Sequence, residues 1–273
     1  MTIKVFLMGG IGNQLFQINR ALSIKLSGKN VEIINLGIFR KLINFIINHS
    51  THKNWIDIDL LCNDLDLRIR QINFYDLLIL SYLYILKKFN KFSNFDIALV
   101  ARLDSKKKYD IGYFQTKNHF NSISLNIIIE NLIKILKLKK LNTSNNKTAA
   151  LHVRGGDFMK EINNVIIKKK PNLILIQKYI EDLVKRKINY LIITGDKEIF
   201  KKLDIQIDKD NFYFNDEKSD FIKLTNCNLM FVSQSSYCFW AYAIAKKLNN
   251  CKILNLNDWV YQDLVADIDF RCY

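Results

Sequence analysis

Proline and glycine are scarce in this chain: of its 273 residues one, Pro171, is proline and nine are glycine. Turns must therefore be built mostly from Asn, Lys, Ser and Asp. Cysteine supplies no framework either, because Cys62, Cys227, Cys238, Cys251 and Cys272 are odd in number and form no CxxC pair. That argues against a zinc site or a disulfide scaffold. Long hydrophobic runs are also missing. The most apolar stretch, "LLILSYLYIL" at 77–86, is about half of the roughly 20 residues that span a bilayer. It reads as a buried helix, with a membrane-facing helix as the alternative. The apolar core of "MTIKVFLMGG" is too short for a signal peptide and reads as a first β-strand, so the expected compartment is the cytoplasm.

Positive charge is in excess. Lys and Arg number 41 against 26 acidic residues, a formal net charge of +15. Such a balance admits nucleic acid, anionic lipid or phosphorylated ligands. The basic runs "SKKKYD", "KLKKLN", "IKKKPN" and "KRKINY" are scattered, however, and no module interleaves them with aromatics. They read as solvated faces, and no nucleic-acid partner is expected.

At 32.1 kDa and 49% hydrophobic, the chain can bury one large core or two α/β cores. Its first 35 residues alternate as strand "IKVFLM", helix "NQLFQINRALSIKLSGK" ended by Gly28, and strand "VEIINL". From 40 to 135 the pattern reads as mostly helical. The polar "LNTSNNKT" at 141–148 marks a domain boundary. Beyond it come strand "AALHV", helix 172–187, strand "YLIIT", helix 196–203, strand "FYF", a short helix near 219–225, strand "NLMFV", helix "SSYCFWAYAIAKKL" and strand "CKILNL". Five strands with intervening helices predict a parallel, doubly wound sheet.

With glycine so rare, its location is informative. Seven of the nine fall in four stretches, Gly9, Gly10 and Gly12, then Gly112, then Gly155 and Gly156, then Gly195. Each adjoins a strand-like run, where ligands of doubly wound sheets bind. In "HVRGGDF" the strand brings His152 and Arg154 to alternate positions, and the glycine pair admits a turn that lets backbone N–H groups approach an anion. Arg154 then offers a forked cation for phosphate. A structural bridge from Arg154 to Asp157 is the alternative. In "FVSQSSYCFW", Ser235 and Ser236 stand at a helix start, where they either cap the helix or meet a phosphate. Phe239 and Trp240 read as core. "GGIGNQLFQ" has neither the GK[ST] ending of a P-loop nor the GxGxxG spacing of a dinucleotide site. Asn13 and Gln14 there either reach into a cleft or, in the case of Asn13, cap the helix. The two "DID" triplets at 57–59 and 267–269 lie outside these loops and read as chance occurrences.

In this order and at comparable spacing, "GGIGNQLFQ", "GYFQTKNHF", "HVRGGDF" and "SQSSYCFWAYAIA" resemble the motifs of the bacterial α-1,2-fucosyltransferases, glycosyltransferase family 11. The likeness runs from Gly9 to Trp259, and residues 40 to 110 carry none of it. It implies an α/β fold of GT-B type, two Rossmann-like domains facing across a cleft, with an acceptor-side domain over 1–145 and a nucleotide-sugar-binding domain over 146–273. The implied reaction is inverting transfer of L-fucose from GDP-fucose to a hydroxyl, such as the 2-OH of galactose, on an oligosaccharide acceptor that can be lipid-linked.

No cofactor or metal is implied; GDP-fucose is the donor substrate. Arg154 would hold the β-phosphate, with Gly156 and Asp157 in the same turn. Ser235 and Ser236 would hold the diphosphate, Asp196 the guanosine end, and His152 would sit beside the nucleotide. Asn13, with Gly10 and Gly12, would meet the sugar or its leaving oxygen. Glu161 stands at the offset of an implicated glutamate as a candidate base, with a solvated loop carboxylate as the alternative. The family usually carries a second arginine where this chain has Gly155, and two acids where it reads "TGD". Two other readings are a catalytically impaired sugar-nucleotide-binding paralogue and a basic nucleic-acid-binding protein. Peripheral contact with the inner membrane also stays open.

Overall fold

The computed structural model describes residues 2–36, 55–89, 99–104, 107–115, 117–141, 148–153, 173–194, 211–213, 216–255 and 261–266. The chain divides into two compact units, Met1–Leu132 and Ile133–Tyr273. Each is built on a five-stranded sheet.

In the first unit the described elements run β1 (Thr2–Leu7), α1 (Ile11–Leu26), β2 (Asn30–Asn35), α2 (Ile58–Asp64), β3 (Arg68–Gln71), α3 (Phe74–Phe89), β4 (Leu99–Asp104) and β5 (Lys107–Ile111). A 3-10 turn, Lys117–His119, leads into α4 (Ser122–Ile135), which runs across the division. The strand order is β3-β2-β1-β5-β4, parallel except for β4 against β5. After β1 the chain steps outward through β2 and β3, then returns to the other side of β1 at β5. That reversal opens a crevice at the carboxyl ends of β1 and β5.

Helix α1 ends where glycine permits. Gly28 has φ +77, its N–H donates to Lys25 O at 2.9 Å, and Lys29 N–H reaches Ile24 O at 3.3 Å. These two bonds form a Schellman closure. Asp57 of the first "DID" caps α2 by accepting from Leu60 N at 2.9 Å.

Among the described residues of 40 to 135, helices α2, α3 and α4 predominate as the pattern predicts, but the strands β3, β4 and β5 also lie there and were not foreseen. Strand β3, "RIRQ", sits at a sheet edge and alternates with arginine where an apolar residue is the usual signal. Glu32 of β2 explains it, accepting from Arg68 Nε at 3.2 Å and Arg70 Nε at 3.1 Å. Arg70 also reaches Asp76 at 2.5 Å, and Lys4 of β1 reaches it at 3.1 Å. Asp76 N–H donates to Asn73 Oδ1 at 2.9 Å while Asn73 N–H donates back at 3.3 Å, a reciprocal cap on α3. Burial pushes the Asp76 carboxyl up, but hydrogen bonds from Arg70, Lys4 and Asn73 outweigh it and hold its pKa below the ordinary value.

The buried-helix reading of 77–86 holds for one face of α3 only. Leu77, Ile79 and Leu80 pack with Phe6, Ile34, Leu36, Ile72 and Ile111, whereas Phe74, Tyr75, Leu78 and Tyr82 are exposed.

In the second unit the described elements are β6 (Thr148–Val153), α5 (Leu173–Lys185), β7 (Asn189–Thr194), β8 (Phe212–Tyr213), α6 (Glu217–Thr225), β9 (Leu229–Phe231), α7 (Ser236–Asn249), β10 (Lys252–Ile253) and α8 (Gln262–Ala266). The order β10-β9-β6-β7-β8 is parallel at every pairing, as the alternation predicts. The expected helix at 196–203 lies outside the described residues. Ala149, Leu151 and Val153 of β6 pack on Ile176, Ile180 and Leu183 of α5. Phe239 and Trp240 of α7 are fully buried, and burial of such side chains stabilises by roughly 1.5–3 kcal/mol each. This sheet also reverses at its centre, between β6 and β9.

Candidate active site

Both reversals gather polar side chains, and each is described within its own unit. In the first, β1 runs out at Leu7 and the chain turns at Gly9, φ +74. A Cβ on Gly9 would lie 2.7 Å from Asn13 Nδ2 and 3.3 Å from Tyr113 Cε1. The demand for glycine therefore falls on Gly9. Gly10 is the N-cap with ordinary extended backbone (φ −74, ψ 171), and Gly12 is buried inside α1. Asn13 is not the N-cap; it stands in the first turn, with its N–H on Gly10 O at 3.0 Å.

Three amide side chains then fix the crevice. Gln17 accepts from Met8 N–H at 2.8 Å and donates to Gly112 O at 2.9 Å. It staples the loop after β1 to the loop after β5. Gln14 Nε2 donates to Gly9 O at 2.9 Å, and Gln115 Nε2 donates to Asn13 Oδ1 at 2.7 Å. With its oxygen held by Gln115, the Asn13 amide turns its nitrogen over Gly9.

Behind this layer, Arg20 grips Asp110 through Nε at 3.2 Å and through its terminal nitrogen at 3.0 Å, and lies over the Phe114 ring at 5.8 Å. Phe114 is held at φ +52, a region uncommon for a residue with a side chain. Burial and the nearby Arg20 charge, opposed by Asp110, hold the His119 pKa below its ordinary value. From the motif "GYFQTKNHF", Gly112, Phe114, Gln115 and Phe120 thus contact α1.

In the second unit His152, on β6, is buried, and its Nδ1 lies 2.5 Å from Ser233 Oγ. The imidazole stacks obliquely on Tyr237 with ring centroids 5.6 Å apart. Tyr237 in turn donates to Glu217 O at 2.5 Å and meets Phe221 edge-on. Burial, reinforced by the carboxylates of Asp220 and Glu217, pushes its phenol far up, so it stays a neutral donor.

The Asn255 amide brackets Val232, donating to its O and accepting from its N–H, both at 2.8 Å. That fixes the end of β9 as Gln17 fixes the end of β1. Ser235 takes the N-cap position of α7 and is buried, but its side chain makes no capping bond. Ser236 begins the helix and is also buried. The N-terminus of a 14-residue helix therefore opens beside His152, and its first-turn N–H groups and dipole suit an anion.

Of the residues the sequence singled out, Asn13, Gly10 and Gly12 meet in the first crevice, and His152, Ser235 and Ser236 in the second. Arg154, Gly156, Asp157, Glu161 and Asp196 lie outside the described residues. Gly9, Gln17, Gln115, Ser233 and Asn255 escaped the sequence reading as site residues. All but Asn255 belong to or adjoin the quoted motifs, so the signal was there; what was missing was the fold that makes them neighbours. Cys62, Cys227, Cys238 and Cys251 are buried free thiols. Burial pushes the Cys62 and Cys238 thiols up to about 12, leaving them unreactive near neutral pH.

The family model of glycosyl transferase family 11 matches residues 34–263. The chain belongs to glycosyl transferase family 11. The matched span takes in "GYFQTKNHF", "HVRGGDF" and "SQSSYCFWAYAIA", and begins after "GGIGNQLFQ". As a member of this fucosyltransferase family, the protein is a glycosyltransferase, a class that works with a sugar-nucleotide donor and a glycan acceptor. No curated protein compared with the chain matches it. Among the described residues no helix is long and apolar enough to cross a membrane.

Proposed function

We propose that this protein transfers L-fucose from GDP-fucose to a hydroxyl of a surface-glycan acceptor, the 2-OH of galactose, with inversion and without a metal. The proposed arrangement is GT-B, with acceptor-side residues 1–145 and nucleotide-sugar-binding residues 146–273, in a cytoplasmic enzyme. The observation that carries this reading is the second crevice. In a family 11 chain, "HVRGGDF" begins on the central strand of a doubly wound sheet, and that strand is joined through His152 and Ser233 to the start of α7.

In the reaction the acceptor oxygen bonds to the anomeric carbon as the bond from that carbon to the GDP oxygen breaks. The acceptor proton passes to a base, for which Glu161 is the candidate. Negative charge grows on the departing diphosphate. Arg154, the backbone N–H groups of Gly155 and Gly156, and the α7 N-terminus at Ser235 and Ser236 would neutralise it, with Asp157 binding another part of the donor. Asp196 would read the guanine end, and Asn13 would hold the sugar or its leaving oxygen. The hydrogen bonds that hold Asn13 and His152 support this, because aligned groups lower a displacement barrier through fixed orientation.

Thermal denaturation with nucleotides tests the donor. At a hundredfold excess over Kd, GDP should stabilise the native state by about 2.7 kcal/mol, and UDP and ADP by less. Transfer to lactose from GDP-fucose tests the reaction. GDP stabilisation without transfer would favour the impaired paralogue, and stabilisation by UDP-sugars instead would sink the donor assignment.

A further inference from the structure

Helix α3 is apolar on two sides. One side belongs to the core, through Leu77, Ile79 and Leu80. The other presents Phe74 at 75%, Tyr75 at 55%, Leu78 at 52% and Tyr82 at 51% exposure. Those positions follow i, i+4 and i+8 with one neighbour added, a single stripe on a helix. Scattered exposed apolar residues need no explanation, whereas a contiguous stripe with three aromatics marks a contact surface.

The helix is also held rigidly in place. Its start is pinned by the Asn73–Asp76 reciprocal cap and by Lys4 and Arg70 on Asp76. A loosely attached helix would roll the stripe inward; this one is fixed with it outward.

The charge around the stripe selects its occupant. Between Leu67 and Lys91 the sequence holds five basic residues, Arg68, Arg70, Lys87, Lys88 and Lys91, and one acid. That acid, Asp76, is buried and paired with Lys4 and Arg70. In the sequence, basic residues thus precede and follow the apolar run; Arg68 and Arg70 are paired with Glu32, the lysines after the run carry the local excess, and the whole chain carries +15. Stripe against stripe, two copies would bring like charges together. Anionic headgroups complement them. At 16 residues the helix is about 24 Å long, which suits lying along the interface rather than spanning it. Phenol and phenyl rings at that depth place their apolar bodies below the headgroups and the tyrosine hydroxyls among them.

We propose that α3 is a lipid-docking surface. It lies in the interfacial plane of an anionic bilayer, with Phe74, Tyr75, Leu78 and Tyr82 inserted at the headgroup boundary and the flanking basic residues against the headgroups. This does not depend on the identity of the donor or acceptor.

The test is co-sedimentation of the full chain with phosphatidylcholine vesicles with and without phosphatidylglycerol, in the absence of nucleotide. Binding should appear with phosphatidylglycerol, weaken with salt, and fall by about tenfold or more in Phe74→Ser/Leu78→Ser/Tyr82→Ser. Lys87→Gln/Lys88→Gln should weaken it by about tenfold, and decides the matter if the serine variant fails to fold. The proposal is overturned if the wild type stays in the supernatant with anionic vesicles, or if folded variants sediment as it does. It is also overturned if the serine substitutions convert a vesicle-free dimer to monomer, which would make a second copy the occupant.

Discussion

Two glycines in the first unit adopt nearly the same left-handed conformation in opposite surroundings, and substituting each by alanine separates two costs. Gly28 has φ +77 and its added Cβ would meet nothing within 4 Å, whereas Gly9 has φ +74 and its Cβ would lie 2.7 Å from Asn13 Nδ2. For an alanine the left-handed backbone alone costs about 1–2 kcal/mol, partly offset by the lower entropy of the unfolded chain. Gly28→Ala should show that cost and nothing more. At Gly9 the Asn13 amide must also swing away, breaking the Gln115 bond of 2.7 Å, and Tyr113 at 3.3 Å blocks part of the movement. A lost buried hydrogen bond adds about 1 kcal/mol. Gly9→Ala should therefore destabilise by about 2–3 kcal/mol, a fall in Tm of roughly 4–12 °C. Urea titration followed by circular dichroism measures both variants. A Gln115→Ala background supplies the coupling, since removing the restraint on Asn13 should reduce the Gly9→Ala cost by about 1 kcal/mol. Equal losses at Gly9 and Gly28, or no coupling to Gln115, would refute the crowding at Asn13.

Arg154→Lys should lower kcat/KM for transfer by about two to three orders of magnitude with the circular dichroism spectrum unchanged, because an ammonium cannot reproduce a guanidinium fork on a diphosphate. Transfer should survive EDTA; loss on chelation with recovery on adding manganese or magnesium would make the leaving group metal-bound. Asp76→Ala should cost about 1.5–3 kcal/mol, since it removes the buried carboxylate that both Lys4 and Arg70 reach, while Arg70 keeps Glu32 at 3.1 Å. The sign with pH follows from the lowered folded pKa of Asp76. Its contribution is present above the unfolded value near 3.9 and is lost as pH falls through the folded value. Acid titration of urea stability below about pH 4 should accordingly be shallower in Asp76→Asn than in the wild type.

Legibility in the sequence followed hydrophobic pattern. Strands β6, β7 and β9 are short apolar runs bounded by polar turns, and their parallel order was readable because helices separate them. Strand β3 was not readable, because two of its four residues are arginines. Only the position of Glu32 on the neighbouring strand, set by tertiary pairing, makes "RIRQ" a strand. The same limit applied to α3, whose run of Leu, Ile and Tyr looks uniformly buried until the sheet takes one side of it and leaves the other. At the first crevice, glycine scarcity pointed to the loop after β1 but not to the residue that needs glycine, since φ and the proximity of Asn13 single out Gly9 over Gly10.

The two crevices share a construction that explains why amides and a histidine, rather than more glycines, surround the glycine turns. At each reversal the chain leaves the sheet ladder, so the backbone groups of Met8, Gly112 and Val232 just past the strand ends need partners of their own. Gln17 replaces the missing partners between the loops after β1 and β5, accepting from Met8 and donating to Gly112. Asn255 does the same for both backbone groups of Val232 after β9, and the His152–Ser233 contact bridges β6 to that loop. Buried amides satisfied at both ends hold a crevice open without filling it with apolar side chains. A polar ligand can then meet groups already oriented by their neighbours, so less conformational entropy is lost on binding than from a loose loop. Gln17→Leu, matched in volume but without donor or acceptor, would leave Met8 N–H and Gly112 O unsatisfied at about 1–3 kcal/mol each. The family reading predicts that its loss in transfer exceeds its loss in stability.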